Sequence, residues 1–449
     1  MVRVIINSYT CCPNMGSEPG MGWNWIINLA KYCEVYVISE GEFRPQIEAW
    51  MAEQDARTTE ALKIDAVESS GWYSLRNEEW QGKVCFYWNA VSPNVRRMCW
   101  NQGDWRFYHY YEKWQRKTAD IARRIVSTDK IDILHQLNMI GFREPGYLWR
   151  VSKETSIPFV WGPVDAKGSF PMAYTEGAPI KNILFLRIKN LITNFQLHYG
   201  CRVHKAAQQA SIILGANSNS VRNVNASFNK DCVLMNETGC SILMPREKNE
   251  TKNDILLSEE NKCKTYEESF HKLSLLWVGK FDFRKQLSLA IRVIEKIKNL
   301  NVCLHIVGDG DVFSLKKQIA NLEIEDKIIL HGLISHSAVQ NIMQKTDALF
   351  FTSVAEGTPH VVLEAVANGL PIVCFDTCGQ GDVVTEDIGI KIPLSTPSQS
   401  IKEFAEQIEF LYNHPEALQR MSDNCNRRAE QLSWDNKVKQ LVKLYESVI

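Results

Sequence analysis

Two glutamates and two lysines hold most of the chemistry that can be read from this chain. Glu356 and Glu364 are separated by seven intervening residues in SVAEGTPHVVLEAVANGLPIV, and Lys280 and Lys285 stand in KFDFRKQ. A glycosidase-type pair needs its carboxyl groups about 5–5.5 Å apart. The helical residues from Pro359 to Glu364 alone would span roughly 7.5 Å, so the two carboxylates suit separate tasks. Two ammonium groups at a strand end and helix entrance could neutralise a departing diphosphate. Sequence context alone fits a solvated pair equally well.

The elements that must position these groups are legible. Residues 348–353 form a short apolar and aromatic run, the composition of a buried strand. Thr358 offers a capping hydroxyl and Pro359 suits a first helical position. Gly369 after Asn368 is a left-handed stop, with Pro371 beyond it, and residues 372–375 give the next strand. The first N–H groups of a helix have no internal partner and suit a diphosphate. Gly357 keeps side-chain bulk away from such a ligand. His360, Glu364 and Asn368 fall four apart, so periodicity alone makes Glu364 a surface residue.

The stretch AEGTPHVVLEAVANGLPIV closely resembles the signature of family 4 retaining glycosyltransferases, and the resemblance reverses that reading of Glu364. It implies the α/β GT-B fold, two Rossmann-like domains with parallel sheets facing each other across a cleft. By the same resemblance Glu356 contacts the donor sugar and Glu364 the ribose of a nucleotide-diphosphate sugar. Gly357, Thr358 and Pro359 line the phosphates, and backbone near Leu333 and Ile334 touches the base. The family has Arg, then Lys, then Gly where this chain has Lys280, Lys285 and Gln286, so bidentate phosphate binding is lost at the first position. Asp309 and Asp311 spell D-x-D, a metal motif of another fold. In VGDGD they read as a turn and helix cap, with Asp309 close to the donor.

The chain begins with a strand over 2–6, the loop SYTCCPNMGSEPGMGW and an apolar helix over 23–32. GSEPGMGWNW resembles the first loop of a bacterial branch of the same family. That implies Gly16 beside the donor phosphates, and Gly20 and Gly22 beside the acceptor. Residues 131–134 form a strand ending at His135; DILHQLNMIGFREPGYLW resembles the family segment whose histidine approaches the reacting sugar. His135 is therefore the catalytic candidate of this half, with Arg143 shaping the acceptor pocket. After GPV, Asp165 and Ala166 replace the paired glycines usual in the family. The segment from Trp72 to Trp114 crowds six tryptophans with Arg and Lys. It fits a sugar, lipid or single-strand grip, or large helices packed on a sheet. No RNP or OB pattern supports nucleic acid. Residues 180–199 read as a basic amphipathic helix, which allows peripheral membrane contact, although an ordinary domain-surface helix is the expectation.

The 449 residues suffice for two domains, and 45% hydrophobic with 23% charged content is ordinary for a globular protein. The expected boundaries are 1–240, joined by a crossing helix at 432–449, for an acceptor-binding domain, and 245–431 for a donor-binding domain. Residues 245–270 read as the connection. Net charge is −1, but the first 225 residues hold 26 basic and 21 acidic groups, leaving 25 and 31 for the remainder. A mildly basic first half suits an anionic membrane or a phosphorylated acceptor, and equally an uneven surface. Thirteen cysteines without CxxC pairs point to reduced thiols in the cytoplasm rather than zinc or disulfides. No spanning helix or signal peptide is evident.

The combined expectation is a hexosyltransferase-type enzyme that retains anomeric configuration and needs no metal or other cofactor. His135, Glu356 and Lys285 would be its catalytic residues. It would pass a sugar to a glycan or polyprenyl-linked oligosaccharide in surface polysaccharide biosynthesis, in the cytoplasm or at the inner face of the membrane. A non-catalytic glycan-binding or scaffold protein on the same fold, and a nucleotide-sugar epimerase, are the alternatives.

Overall fold

The computed structural model describes residues 1–64, 67–74, 81–101, 104, 106–166, 168–241 and 272–449. The chain divides into two compact units. The first comprises Met1–Gly168, Ile192–Thr238 and Trp434–Ile449; the second comprises Ser169–Leu191 and Gly239–Ser433.

Among the described residues the first unit is built on nine strands: β1 (Arg3–Asn7), β2 (Glu34–Ser39), β3 (Arg57–Thr59), β4 (Glu68–Ser74), β5 (Lys83–Trp88), β6 (Ile133–Gln136), β7 (Phe159–Val164), β8 (Ile212–Gly215) and β9 (Cys232–Leu234). Their order is β3-β4-β5-β2-β1-β6-β7-β8-β9. From β5 to β9 every neighbour is parallel, and β3 and β4 extend the edge as an antiparallel pair. Alternation along β1 sends Val4 and Ile6 into one core and Ile5 into the other. A sheet covered on both faces accounts for the largely apolar run of its central strands β1, β2, β5 and β7. The helix Trp434–Glu446 lies on the first of these cores, where Trp434 meets Trp25 edge-on at 5.3 Å between centroids.

Among the described residues the second unit has six strands, all parallel: β10 (Leu273–Val278), β11 (Val302–Val307), β12 (Ile328–Gly332), β13 (Ala348–Phe351), β14 (Ile372–Phe375) and β15 (Gly389–Ile392). Their order is β12-β11-β10-β13-β14-β15. The chain runs outward one way from β10 and then returns to place β13 on its other side. The carboxyl edge between β10 and β13 is thus the switch point at which α/β sheets of this order bind ligands.

Residues Ser169–Leu191 pack with the second unit although they lie within the 1–240 stretch expected to form the first. Tyr174 is the cause. Its ring sits edge-on to Phe375 at 5.5 Å, its hydroxyl is 2.8 Å from Ser400 Oγ, and Gln286 Nε2 donates to its carbonyl at 2.7 Å. The connection expected at 245–270 lies outside the described residues. The aromatic segment is largely core: Trp72, Trp88 and Trp114 are buried, and Trp80 and Trp105 lie outside the described residues. Among those residues no helix is long and apolar enough to cross a membrane.

Candidate functional site

At the switch point of the second unit the loops after β10 and β13 bring opposite charges together. Lys285 ends the short 3-10 turn Phe283–Lys285, and its Nζ lies 2.5 Å from Glu356 Oε1. Ser353 Oγ donates to the same carboxylate oxygen at 2.5 Å, and the Glu356 amide donates to Cys378 Sγ at 3.5 Å. Both charged side chains are mostly covered, at 24% and 18% exposure. Removing either partner would strand the other with little solvent. Lys280, beside them in sequence, is exposed and has no ion-pair partner among the described residues. Gln286 adopts φ +53°, a left-handed conformation natural to the glycine of the family pattern. Its side chain compensates by donating to the Tyr174 and Phe283 carbonyls.

The helix after β13 runs His360–Ala367, with Pro359 at its N-cap rather than at its first helical position. Thr358 is not the N-cap; it is buried together with Pro359. The cover is the helix Cys378–Val383. Gly379 donates its N–H to the Gly357 carbonyl at 2.8 Å. A side chain at Gly379 would lie 2.4 Å from that oxygen and 2.6 Å from Thr358 Cα. Gly357 is half-buried and His360 exposed, so a ligand can reach the amides at His360 and Val361, which have no intrahelical acceptor.

Glu364 projects from the next turn of this helix. Its carboxylate is 3.1 Å from His336 Nε2 and accepts from Gln340 Nε2 at 3.3 Å. Gln340 Oε1 in turn accepts from Asn368 at 2.5 Å. The sequence signal for His336 and Gln340 is only their spacing of four within one helix (His336–Lys345), which puts them on a shared face. Ile334 and Val361 each pack against the adjoining core, while Leu333 is exposed. Asp309 and Asp311 behave as a turn and a cap: the Gly310 amide donates to Asp309, and Asp311 caps the helix at Ser314. Gly308 and Gly310 exist for packing, because added side chains would strike Gly279 O at 1.8 Å and Phe281 Cβ at 2.3 Å.

In the first unit the structure places several of the expected residues differently from their sequence assignment. The helix predicted over 23–32 is Ser17–Leu29, so Gly20 and Gly22 lie inside it and not in a loop. Both are buried; added side chains would meet Met15 O at 1.7 Å and Thr10 O at 2.5 Å. They bring backbone against backbone and leave no room for an acceptor. Gly16 is the exception: it is exposed at the N-cap, with nothing within 4 Å of an added side chain.

His135 lies inside the sheet and not at its edge, and both its ring nitrogens are engaged. It lies within β6 at 0% exposure. Its Nε2 is 2.6 Å from the Gly162 carbonyl, which can only accept, so Nε2 carries the proton and Nδ1 accepts from the Tyr445 hydroxyl at 2.5 Å. Arg143 is likewise committed, donating to Gln196 at 2.5 Å and to Thr193. Its neighbour Glu144 is buried against Arg202, and burial pushes its carboxyl up to about 7.

Burial drives the His135 imidazolium down to about 4, against about 6.5 in an unfolded chain. Between those values the unfolded state binds more protons, so stability is full above about pH 6.5 and falls as the solution is acidified toward pH 4. The loss attributable to His135 at the acid end is on the order of 3 kcal/mol. Urea unfolding followed from pH 7.5 to 4.5 should show this slope, and His135→Phe should flatten it. An unchanged slope in that variant would assign the pH dependence elsewhere.

Two α/β units, each with its strand order reversing beside its first strand, define the GT-B fold, and solved structures agree. The lipopolysaccharide outer core galactosyltransferase WaaB aligns over 100% of both chains with a TM-score of 0.59 at 15% identity. HepE of Anabaena in complex with UDP-glucose aligns over 100% of both with 0.55 at 13% identity. At such identities the likeness speaks for the fold alone. The family described as glycosyl transferases group 1 matches residues 260–428. An uncharacterised glycosyltransferase of Methanocaldococcus jannaschii is 26% identical over 176 residues, 38% of this chain and 44% of that protein. The lipopolysaccharide 1,6-galactosyltransferase of Escherichia coli K12 is 30% identical over 146 residues, 31% of this chain and 38% of that protein. The matched stretch thus spans less than half the length of either curated relative.

Proposed function

We propose that the protein is a retaining glycosyltransferase of the family 4 type. It would take a nucleotide-diphosphate sugar as donor and a glycan or lipid-linked oligosaccharide as acceptor, in surface polysaccharide assembly. One observation carries the reading: Lys285 and Glu356 meet at 2.5 Å where the strand order reverses. A diphosphate placed there faces the Lys285 ammonium and the amides that open the His360–Ala367 helix. The sugar it carries falls to Glu356, and Glu364 with its His336 and Gln340 neighbours takes the ribose. That HepE was solved with UDP-glucose and that relatives are named galactosyltransferases supports a donor of this class.

The reaction breaks the bond from the anomeric carbon to the diphosphate and forms one to an acceptor hydroxyl, whose proton passes to the leaving phosphate oxygen. Attack on the same face as departure fits a site whose carboxylate already engages a lysine and a serine instead of standing free as a nucleophile. Lysine and helix-amide charge serve the leaving group without a metal. With His135 sealed in the sheet, the transfer rests on the second unit's groups and the acceptor itself. Nucleotide release from a panel of donors and acceptors, with the product's anomeric configuration read by NMR, tests the proposal. Release that depends on an acceptor and yields the donor's configuration supports it. An inverted product would overturn the stereochemistry, donor interconversion without acceptor would point to an epimerase, and glycan binding without release to a non-catalytic module.

A further inference from the structure

The helix Ile180–Tyr199 is exposed along the wrong face for a soluble surface. Leu184, Phe185, Ile188, Leu191, Ile192 and Phe195 are all exposed, Leu191 at 72% and Phe195 at 66%. At 100° per residue these six, with Ile180 and Tyr199 at the ends, fall within an arc of about 140°. Polar side chains belong there if water is the only neighbour. The opposite side is anchored: Leu186 and Leu197 are buried, Thr193 and Gln196 accept from Arg143, and Asn190 exchanges hydrogen bonds with the Phe170 backbone at 3.0 and 3.2 Å. The helix therefore has no freedom to roll its apolar stripe inward.

Charge selects what covers the stripe. The helix contains Lys181, Arg187 and Lys189, all exposed, and no acidic residue. Arg187 and Lys189 project just outside the two edges of the apolar arc, where long side chains can reach headgroups while the stripe is buried. The surrounding sequence extends the bias: from Gly177 to Lys230 there are seven Lys and Arg and no Asp or Glu. A second copy of the same helix would set these cations against one another with no carboxylate within the helix to pair them. An anionic lipid surface satisfies both demands at once, taking the side chains between its acyl chains and the cations at its phosphates.

We propose that Ile180–Tyr199 is a membrane-docking helix that lies in the interfacial plane of an anionic bilayer. At about 1.5 Å per residue it offers a contact roughly 30 Å long. The proposal is independent of the transferase reading, since docking requires neither donor nor turnover.

The full chain should co-sediment with vesicles of phosphatidylcholine and phosphatidylglycerol, and much less with phosphatidylcholine alone or at high salt. Leu184→Ser with Leu191→Ser should weaken the partition by roughly 30-fold or more. Arg187→Glu with Lys189→Glu should weaken it on the order of 100-fold on the anionic vesicles. All four positions are exposed, and an unchanged circular dichroism spectrum and unfolding midpoint would show that both variants fold. Failure of the folded protein to bind anionic vesicles, or binding that the leucine changes leave intact, would overturn the proposal. So would a dimer in sedimentation that Leu191→Ser dissolves, which would make a second copy the occupant.

Discussion

Lys285→Ala should lower acceptor-dependent nucleotide release by two to three orders of magnitude while leaving the fold in place. That range, roughly 10²–10³, is what a preorganised charge at a developing anion contributes. Lys285 holds no core position; it reaches from a surface turn to Glu356, and its ammonium lies 5.2 Å from the centroid of the Phe351 ring. Its loss leaves the Glu356 carboxylate beside the departing phosphate with its partnering cation gone. Repulsion then adds to the missing attraction. Because the two side chains touch, Lys285→Ala with Glu356→Ala should fall well short of the product of the single effects. Steady-state release rates for the four proteins decide it, and strict multiplicativity would mean that the pair does not act as a unit.

The second large effect is structural. Gly379→Val places a side chain 2.4 Å from Gly357 O and 2.6 Å from Thr358 Cα, both backbone atoms that cannot swing aside. Either the Cys378–Val383 helix lifts or the turn before His360 shifts. Overpacking of this kind costs roughly 1–3 kcal/mol, and the displaced amides should abolish measurable nucleotide binding. Gly16→Ala is the contrast, since the space there is open and its φ of −87° suits any residue. Thermal unfolding and nucleotide titration should separate the two, with Gly16→Ala close to the parent. Equal behaviour would show that the packing at Gly379 is not what shapes the turn.

Strand and helix signals in the second unit were legible because local and tertiary preferences agree there. β13, the helix His360–Ala367 and β14 have apolar runs, a proline entry and a glycine exit where composition puts them, with a shift of one residue at the cap. The first loop misled because Pro19, Gly20 and Gly22 are poor helix formers. Packing reverses that preference: Pro19 sits in the first turn, where its missing N–H is tolerated, and only glycine fits against Thr10 and Met15. For His135 the apolar run before it suggests a strand end. Gln136 continues the strand, and Gly162 and Tyr445, remote in sequence, close over both ring nitrogens. The helix Ile180–Tyr199 shows a third limit. It is apolar on two sides, and no pattern in the sequence tells which of them the rest of the chain will cover.

The account depends on a nucleoside diphosphate binding along the edge from Lys285 to Glu364. Calorimetric titration of the intact chain with UDP, GDP and ADP tests that without any need for the acceptor. At least one should bind, with affinity falling at least about tenfold in Glu364→Ala as the proposed charged hydrogen bonds to the ribose are lost, and far less in Glu356→Ala, whose proposed partner is the sugar. If none of the three binds the folded parent protein, or if the best of them binds Glu364→Ala as tightly as the parent, the site is not a nucleotide-sugar site and the transferase reading fails with it.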